Sequence, residues 1–577
     1  MPGLNKLFFS SCVLLALLSI WGCGGGRPAL NTGPVGQDLR DAISLLTSED
    51  SDADAQAGVL ADFVKIGDSR GAAFLRSFRE GQSIYRWKDR LVLVEKFDTD
   101  DDGNRSARLF DHILRTELAG ADGKQVVAAK SELKEVSASR SLRRPVLAAE
   151  DSLKLLSQDE KICLQAAKKC GNSRKPGFLL PLEVLAKDSS RSVKVRRVAR
   201  TGVCLIKISG NIPELPEAEV LSAVRELGDI RSEVGAGALK ELASKESTSA
   251  GLEAACSSSI ASIESYQGKV RNLSHIFNGI SAGSVLILMA LGLSIIFGLM
   301  GVINMAHGEL MMVGAYTTYV VMHIFNHTES TPANYYYIFA IPAAFLAAAF
   351  FGILIEFFVV RHLYGRPLDT LLATYACGLG MIQGTRLIFG DNIGVNAPIQ
   401  LVGSFELFQD FNLARARIFI IFFCGFCVLL IYLLMGKTRM GLLIRATTQN
   451  RATARSLGVN SRFIDSMTFA FGSGLAGLAG CALTLIAGVT PDMGQNYIVD
   501  SFLVVVVGGV GELAGVVAAG LGIGVLNKAF EPFLGWLFPE STASVTWGKV
   551  VILVLVIAFI QWRPAGIFPP KGRLADV

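Results

Sequence analysis

From residue 272 onward, apolar stretches of membrane length follow one another to Trp562. A bilayer core is crossed by a helix of about twenty apolar residues, and in lipid only a helix or a closed barrel satisfies its own backbone. The spacing predicts a polytopic helical membrane domain. Spans are expected at about 276–299, 310–325, 335–360, 370–389, 418–435, 466–489 and 550–562, with one further long run at 498–526. Two polar breaks interrupt this material. One reads Gly301-Val302-Ile303-Asn304-Met305-Ala306-His307-Gly308-Glu309, the other Val507-Gly508-Gly509-Val510-Gly511-Glu512.

An amide, an imidazole and a carboxylate at one membrane break are costly unless they face a protein-lined path, which makes transport the first reading. Asn304, His307, Glu309, Gly508, Gly509 and Glu512 are therefore candidates for lining or gating a path. Glycines at such breaks also serve close helix packing, and acids at helix N-termini are favoured by the dipole; both readings stay open. His307 lacks the accompanying chain of acids that a proton relay needs.

Before this region the chain is a different material, charged and interrupted, and we divide it into 1–26, 27–271 and 272–577. Residues 1–26 have the form of an export signal, with Lys6 ahead of an apolar run and small residues following. Ile20-Trp21-Gly22-Cys23 resembles a lipoprotein cleavage box, although Trp21 is bulky for one. Residues 27–271 are then expected outside the cytoplasm, as a mostly helical domain. Its segments 182–206 and 239–263 align without a gap and keep apolar character at Leu182/Leu239, Leu185/Leu242, Val195/Leu252 and Ile206/Ile263. Each reads as helix, turn, helix, as in HEAT-like repeats.

Ser83 to Lys96 alternates as a strand or hairpin and leads into Asp98-Thr99-Asp100-Asp101-Asp102-Gly103. That opening resembles a calcium loop, but the twelfth position is Leu109 instead of a bidentate Glu, so a solvated turn between strand and helix is expected. Cys163, Cys170, Cys204 and Cys256 allow disulfides in an exported domain, with the pairing open; Cys163 and Cys170 also fit one core face of a helix. Cys424 and Cys427 lie within an apolar span without a second ligand pair, which gives no metal site.

An external N-terminal domain places the loops 361–369 and 437–465 inside, and both are basic, as the positive-inside rule expects. The basic tail with Arg563, Lys571 and Arg573 also belongs inside. That parity holds only if 498–526 is broken at Gly508 to Gly511 and forms two segments, the first a half-helix or re-entrant element. The fold class is thus α-helical: about eight spans plus a re-entrant or broken segment, preceded by a mostly helical domain.

The basic loop offers a second candidate surface. Gly441 to Ala446 leads into Asn450 to Val459, which fits a short amphipathic cytoplasmic helix ended by Gly458. Arg445, Asn450, Ala454, Leu457 and Gly458 would face a cytosolic partner, with an interfacial helix held by anionic lipid as the alternative. Gly436-Lys437-Thr438 fails the Walker pattern because Ile431 stands where its first glycine belongs. ATP hydrolysis must come from other chains. The composition is half apolar with a formal charge of +5, which suits a membrane protein and gives no sign of nucleic-acid binding.

The stretch Gly-Leu-Ser-Ile-Ile-Phe-Gly-Leu-Met-Gly-Val-Ile-Asn-Met-Ala-His-Gly-Glu ending at Glu309 resembles the LivH-type permeases of branched-chain amino-acid ABC transporters. Arg445 to Val459 is similar to that family's cytoplasmic coupling segment, and Val507 to Gly515 with Arg563 to Pro569 resembles its C-terminal signature. The exported domain and Asn396-Ala397-Pro398-Ile399 more closely resemble the permeases of urea ABC transporters. The resemblance implies an importer subunit without catalytic residues or cofactors of its own, in the bacterial cytoplasmic membrane. Its implied partners are a second, LivM-like permease, two cytosolic ATPases binding ATP and Mg²⁺, an external solute-binding protein and membrane lipid. Urea is the first expected solute and branched-chain or other neutral amino acids the alternative. An export-facing membrane sensor is the reading from another class.

Overall fold

The computed structural model describes residues 37–568 except 48–52, 67, 69, 82, 89, 100–104, 114–115, 119–124, 213–214, 245–248, 328–334, 538–543 and 565. The expected signal with Cys23, and Lys571 and Arg573, lie outside the described residues. The chain divides into two compact units, Gly25–Gly268 and Lys269–Val577.

The first unit begins with α1 (Gln37–Leu46), α2 (Ala53–Ile66) and α3 (Arg70–Glu80). The hairpin expected after Ser83 forms as β1 (Ile84–Trp87) and β2 (Arg90–Leu93). The β part is larger than the sequence suggests. With β3 (Phe97–Thr99), β4 (Arg105–Arg108), β5 (Phe110–Asp111), β6 (Val127–Ala129) and β7 (Lys134–Glu135), the strands form two antiparallel sheets ordered β5-β2-β1-β7 and β3-β4-β6. The acidic segment at Asp98 therefore joins two strands, not a strand and a helix; Asp98 and Thr99 lie in β3, and 100–103 lie outside the described residues. Leu109 is fully buried and belongs to the core beside Tyr85 and Val92.

Helices α4 (Arg143–Leu155), α5 (Glu160–Asn172), α6 (Leu179–Lys187), α7 (Val193–Ile208), α8 (Glu217–Ile230) and α9 (Glu233–Ala243) complete this unit, together with the first part of α10 (Ala250–Met300). The repeat reading has a structural counterpart: α6–α7 and α9–α10 are each a pair of consecutive helices, and Leu182, Val195 and Ile206 are buried as Leu239, Leu252 and Ile263 are. Helices α5 and α7 meet at Gly171 and Gly202, where a Cβ on Gly171 would lie 2.6 Å from the Gly202 Cα. The disulfide expectation is corrected. Cys163 and Cys170 face one apolar cluster and Cys204 and Cys256 another, and all four are free, buried thiols.

The second unit contains the rest of α10, α11 (His307–His327), α12 (Tyr336–Phe358), α13 (Pro367–Phe389), the hairpin β8 (Ser404–Phe408) and β9 (Phe411–Ala414), and α14 (Arg415–Lys437). It continues with α15 (Arg439–Gln449), α16 (Arg451–Ser456), α17 (Ser461–Leu483), α18 (Met493–Gly508), α19 (Leu513–Leu537) and α20 (Ser544–Trp562). Helices thus occupy the predicted spans, and the run 498–526 is broken between α18 and α19.

The sequence of α17 explains its central place. Between Thr468 and Leu483 it is almost wholly buried and carries Gly472, Gly474, Gly477 and Gly480. A Cβ on Gly480 would collide with the Met311 carbonyl of α11, and one on Gly477 would lie 2.5 Å from the Ala344 carbonyl of α12. Small residues let the three helix backbones approach closely, where dispersion and not water exclusion holds helices together in lipid. The outer helix α14 is the reverse case: Phe422, Phe426, Leu429 and Leu433 are exposed along it, as a lipid-facing surface requires.

Candidate functional site

The first break is made by Gly301, whose φ of +65° ends α10 in the left-handed region open to glycine. Residues 301–306 then run outside any helix until His307 opens α11. Asn304 is buried; its Oδ1 accepts from the Ala306 N–H at 3.1 Å, while its Nδ2 has no partner. The His307 ring packs against α10 at Gly292, with Nε2 3.1 Å from the Met289 carbonyl oxygen. A carbonyl only accepts, so Nε2 carries the proton in this contact and Nδ1 is left unpartnered.

Glu309 lies in the first turn of α11, only 4 % exposed, and its Oε2 has no hydrogen-bond partner. Helix α13 covers the break from outside the motif. Thr374 Oγ1 accepts from the Met305 N–H at 3.1 Å, and one turn on, a Cβ at Gly378 would stand 3.0 Å from the Glu309 carboxyl carbon. Sequence reasoning misses both residues, although Thr374 and Gly378 are small residues at the i, i+4 spacing of one helix face.

The second break follows Gly508, with Gly509 and Gly511 at φ of +100° and +83°. Gly508 passes against Gly515 of α19, and Glu512 is half-buried just ahead of that helix. The freed carbonyls are used: Ile567 N–H donates to the Val507 oxygen at 2.8 Å and Phe568 N–H to the Gly508 oxygen at 3.3 Å. The two halves of the expected C-terminal signature are therefore in contact. The Gly511 N–H reaches Ser294 Oγ at 3.3 Å, and a Cβ on Gly298 would lie 2.7 Å from the Gly511 Cα. One stretch of α10, from Met289 to Gly298, thus meets both polar breaks.

The basic segment folds as two helices, α15 and α16, instead of one. Thr438 caps the first by accepting from the Gly441 N–H at 3.2 Å, and Asn450 caps the second by accepting from the Thr453 N–H at 3.0 Å. Asn450 is extended and cannot continue the preceding helix, which places the division there. Gly458, at φ +85°, ends α16 as expected. Arg445 is exposed and donates to the Met435 carbonyl at 2.8 Å, and Leu457 is 79 % exposed. Ala454 departs from expectation. It is 4 % exposed, because it shares with Arg451 the face of α16 turned to α17.

A multi-pass helical unit with two glycine-bearing polar breaks has the features of a membrane permease. Residues 275–560 match the family described as "Branched-chain amino acid transport system / permease component". The chain is 28 % identical over 304 residues to the high-affinity branched-chain amino acid transport system permease protein BraD of Pseudomonas aeruginosa, covering 51 % of this chain and 95 % of that protein. Against LivH of Escherichia coli K12 the identity is 26 % over 303 residues, covering 51 % and 94 %. Against LivM of the same organism it is 24 % over 312 residues, covering 49 % and 68 %. No solved structure matches the chain significantly. Through residues 275–560 the chain belongs to this permease family, and it is a multi-pass membrane transport subunit, not an enzyme.

Proposed function

We propose that this chain forms one half of the membrane pathway of an ATP-driven importer, and that the solute passes the break at 301–309. The observation that carries the reading is the group of buried, unpartnered polar atoms there: Asn304 Nδ2, His307 Nδ1 and Glu309 Oε2. Leaving such atoms unpaired costs about 1–3 kcal/mol each, which a passing polar solute would recover. A donor, a lone pair and a carboxylate oxygen suit a small neutral solute bearing both donors and acceptors. Gly508, Gly509 and Glu512 would gate the same path, since α10 meets both breaks.

Branched-chain or other neutral amino acids are the favoured solutes, supported by the names of the relatives above. Urea is the second reading, favoured by Asn396 to Ile399 and the long N-terminal region. The working assembly would comprise a second permease, two cytosolic ATPases and an external solute-binding protein. Segment 439–458 would face the ATPases from the cytoplasmic side, with Arg445, Asn450, Leu457 and Gly458 nearest them. The unit 25–268 would lie outside.

Uptake of labelled leucine and labelled urea, compared in cells carrying and lacking this gene, tests the proposal. Loss of leucine uptake alone supports the first reading and loss of urea uptake alone the second. Unchanged uptake of both would overturn the solute assignment.

A further inference from the structure

The cytoplasmic segment and the first break are joined by a chain of side chains that neither the permease assignment nor the motifs account for. Arg451, the first residue of α16, hydrogen-bonds both the Tyr364 hydroxyl and the Asp465 carboxylate of α17. Its guanidinium also lies over the Tyr364 ring, 4.3 Å from the centroid. The Tyr364 hydroxyl donates in turn to the Met300 carbonyl at 3.1 Å. Met300 is the last residue of α10, directly before Gly301, and its carbonyl is one of those that a helix end leaves without an internal partner.

The polarity of this chain is fixed. Arginine only donates and a carbonyl only accepts, so the group between them must do both, as a phenol does. Tyr364 is itself held on a rigid mount. Arg361, three residues earlier, pairs with the buried Glu356 at 3.0 Å, and Ser466, next to Asp465, donates to the same carboxylate at 2.7 Å. The loop carrying Tyr364 is thereby fastened to α12 and α17, two helices packed against α11. A displacement of α16 has two routes inward through Arg451: to α17 through Asp465, and to the break through Tyr364.

We propose that Arg451 and Tyr364 form a latch that transmits movement of the segment 439–458 to the polar break at 301–306. Both are positioning residues: the latch sets the state of the break and touches no solute. It rests on the reading of 439–458 as the segment facing the ATPases. The ordered pairing also fixes which change is informative. Tyr364→Phe keeps the ring under the guanidinium and removes both hydroxyl bonds, so packing is preserved while the link to Met300 is cut.

The test uses the complete transporter with its ATPases, reconstituted in vesicles, and a cysteine placed at the break by Met305→Cys. Its labelling by a membrane-permeant maleimide is measured with and without ATP, against the same protein lacking that cysteine. Tyr364→Phe is expected to keep the ATPases associated and hydrolysing, while the ATP-dependent change at position 305 shrinks roughly five-fold or more. Arg451→Lys keeps the charge opposite Asp465 and loses the planar double contact; it is expected to shift the labelling in the same direction, and it carries the test if Tyr364→Phe is poorly recovered. A full ATP-dependent response in both variants, with the ATPases bound, would overturn the latch alone. Failure of the ATPases to co-purify with the unaltered chain would instead overturn the docking reading and the latch with it.

Discussion

The N-terminal unit buries carboxylates beside cations, whereas the membrane unit does this and also buries one without. In the N-terminal unit Glu150, 1 % exposed, is paired with Arg79 and Lys154, and neighbouring Asp151 is paired with Lys169. In the membrane unit Glu356 follows the same rule with Arg361, but Glu309 is paired with no cation among the described residues and leaves one oxygen without a partner. A buried charge that is paired is held in place by its partner; one that is left open keeps its hydrogen-bonding capacity for something that arrives. On the reading proposed above, the difference would separate structural acids from one that serves the path.

The largest effect should come from closing that open capacity. Glu309→Gln keeps shape and replaces one carboxyl oxygen by an amide donor, and a mismatched buried polar group costs about 1–3 kcal/mol, so initial-rate uptake should fall by roughly 5- to 150-fold. Protein abundance and thermal unfolding should stay unchanged. If the unfolding temperature dropped instead and uptake survived, Glu309 would have to be grouped with the structural acids.

Gly378→Ala probes the same carboxyl from α13. The added methyl would force the Glu309 side chain to give way, and since a neighbouring side chain can move, uptake should fall by a smaller factor than for Glu309→Gln, about ten-fold. Equal uptake of the solute by this variant and the unaltered chain would remove Gly378 from the path.

The paired acids should behave in the reverse sense. Glu150→Gln leaves Arg79 and Lys154 without their carboxylate, but both cations are partly exposed, so we expect about 1–2 kcal/mol of lost stability, read as a lower unfolding temperature of the full chain. Solute affinity in the uptake assay should not change.

The smallest effect concerns the thiols of the N-terminal unit. Burial pushes the Cys170 thiol up to about 12, so it stays protonated at pH 8 and folded protein should react with iodoacetamide far more slowly than urea-unfolded protein. Rapid modification of folded protein at Cys170, located by peptide mass, would show that this core opens readily.

The contrast between the units also explains what can be read without coordinates. Membrane spans and polar breaks are local in the chain: Gly301 and Gly508 announce themselves amid apolar sequence, and Gly458 marks the end of its helix. Contacts made across the fold carry no such mark. Thr374 on Met305, Gly378 on Glu309 and Tyr364 on Met300 join positions far apart in sequence, and nothing in the local pattern pairs them. Ala454 is misread because small size fits either side of a helix, and only its register with Arg451 shows which side faces inward. The sheets are underestimated because strands of two to four residues, such as β5 and β7, are too short for alternation to register.

The backbone bonds from Ile567 and Phe568 to Val507 and Gly508 bear on the order in which the protein is assembled. The end of α18 is finished by residues synthesised only after α19 and α20. A chain that ends before residue 567 lacks the N–H groups that bond the Val507 and Gly508 carbonyls. In chain order, completion of this break therefore comes late, and it depends on the backbone N–H groups of residues 567 and 568.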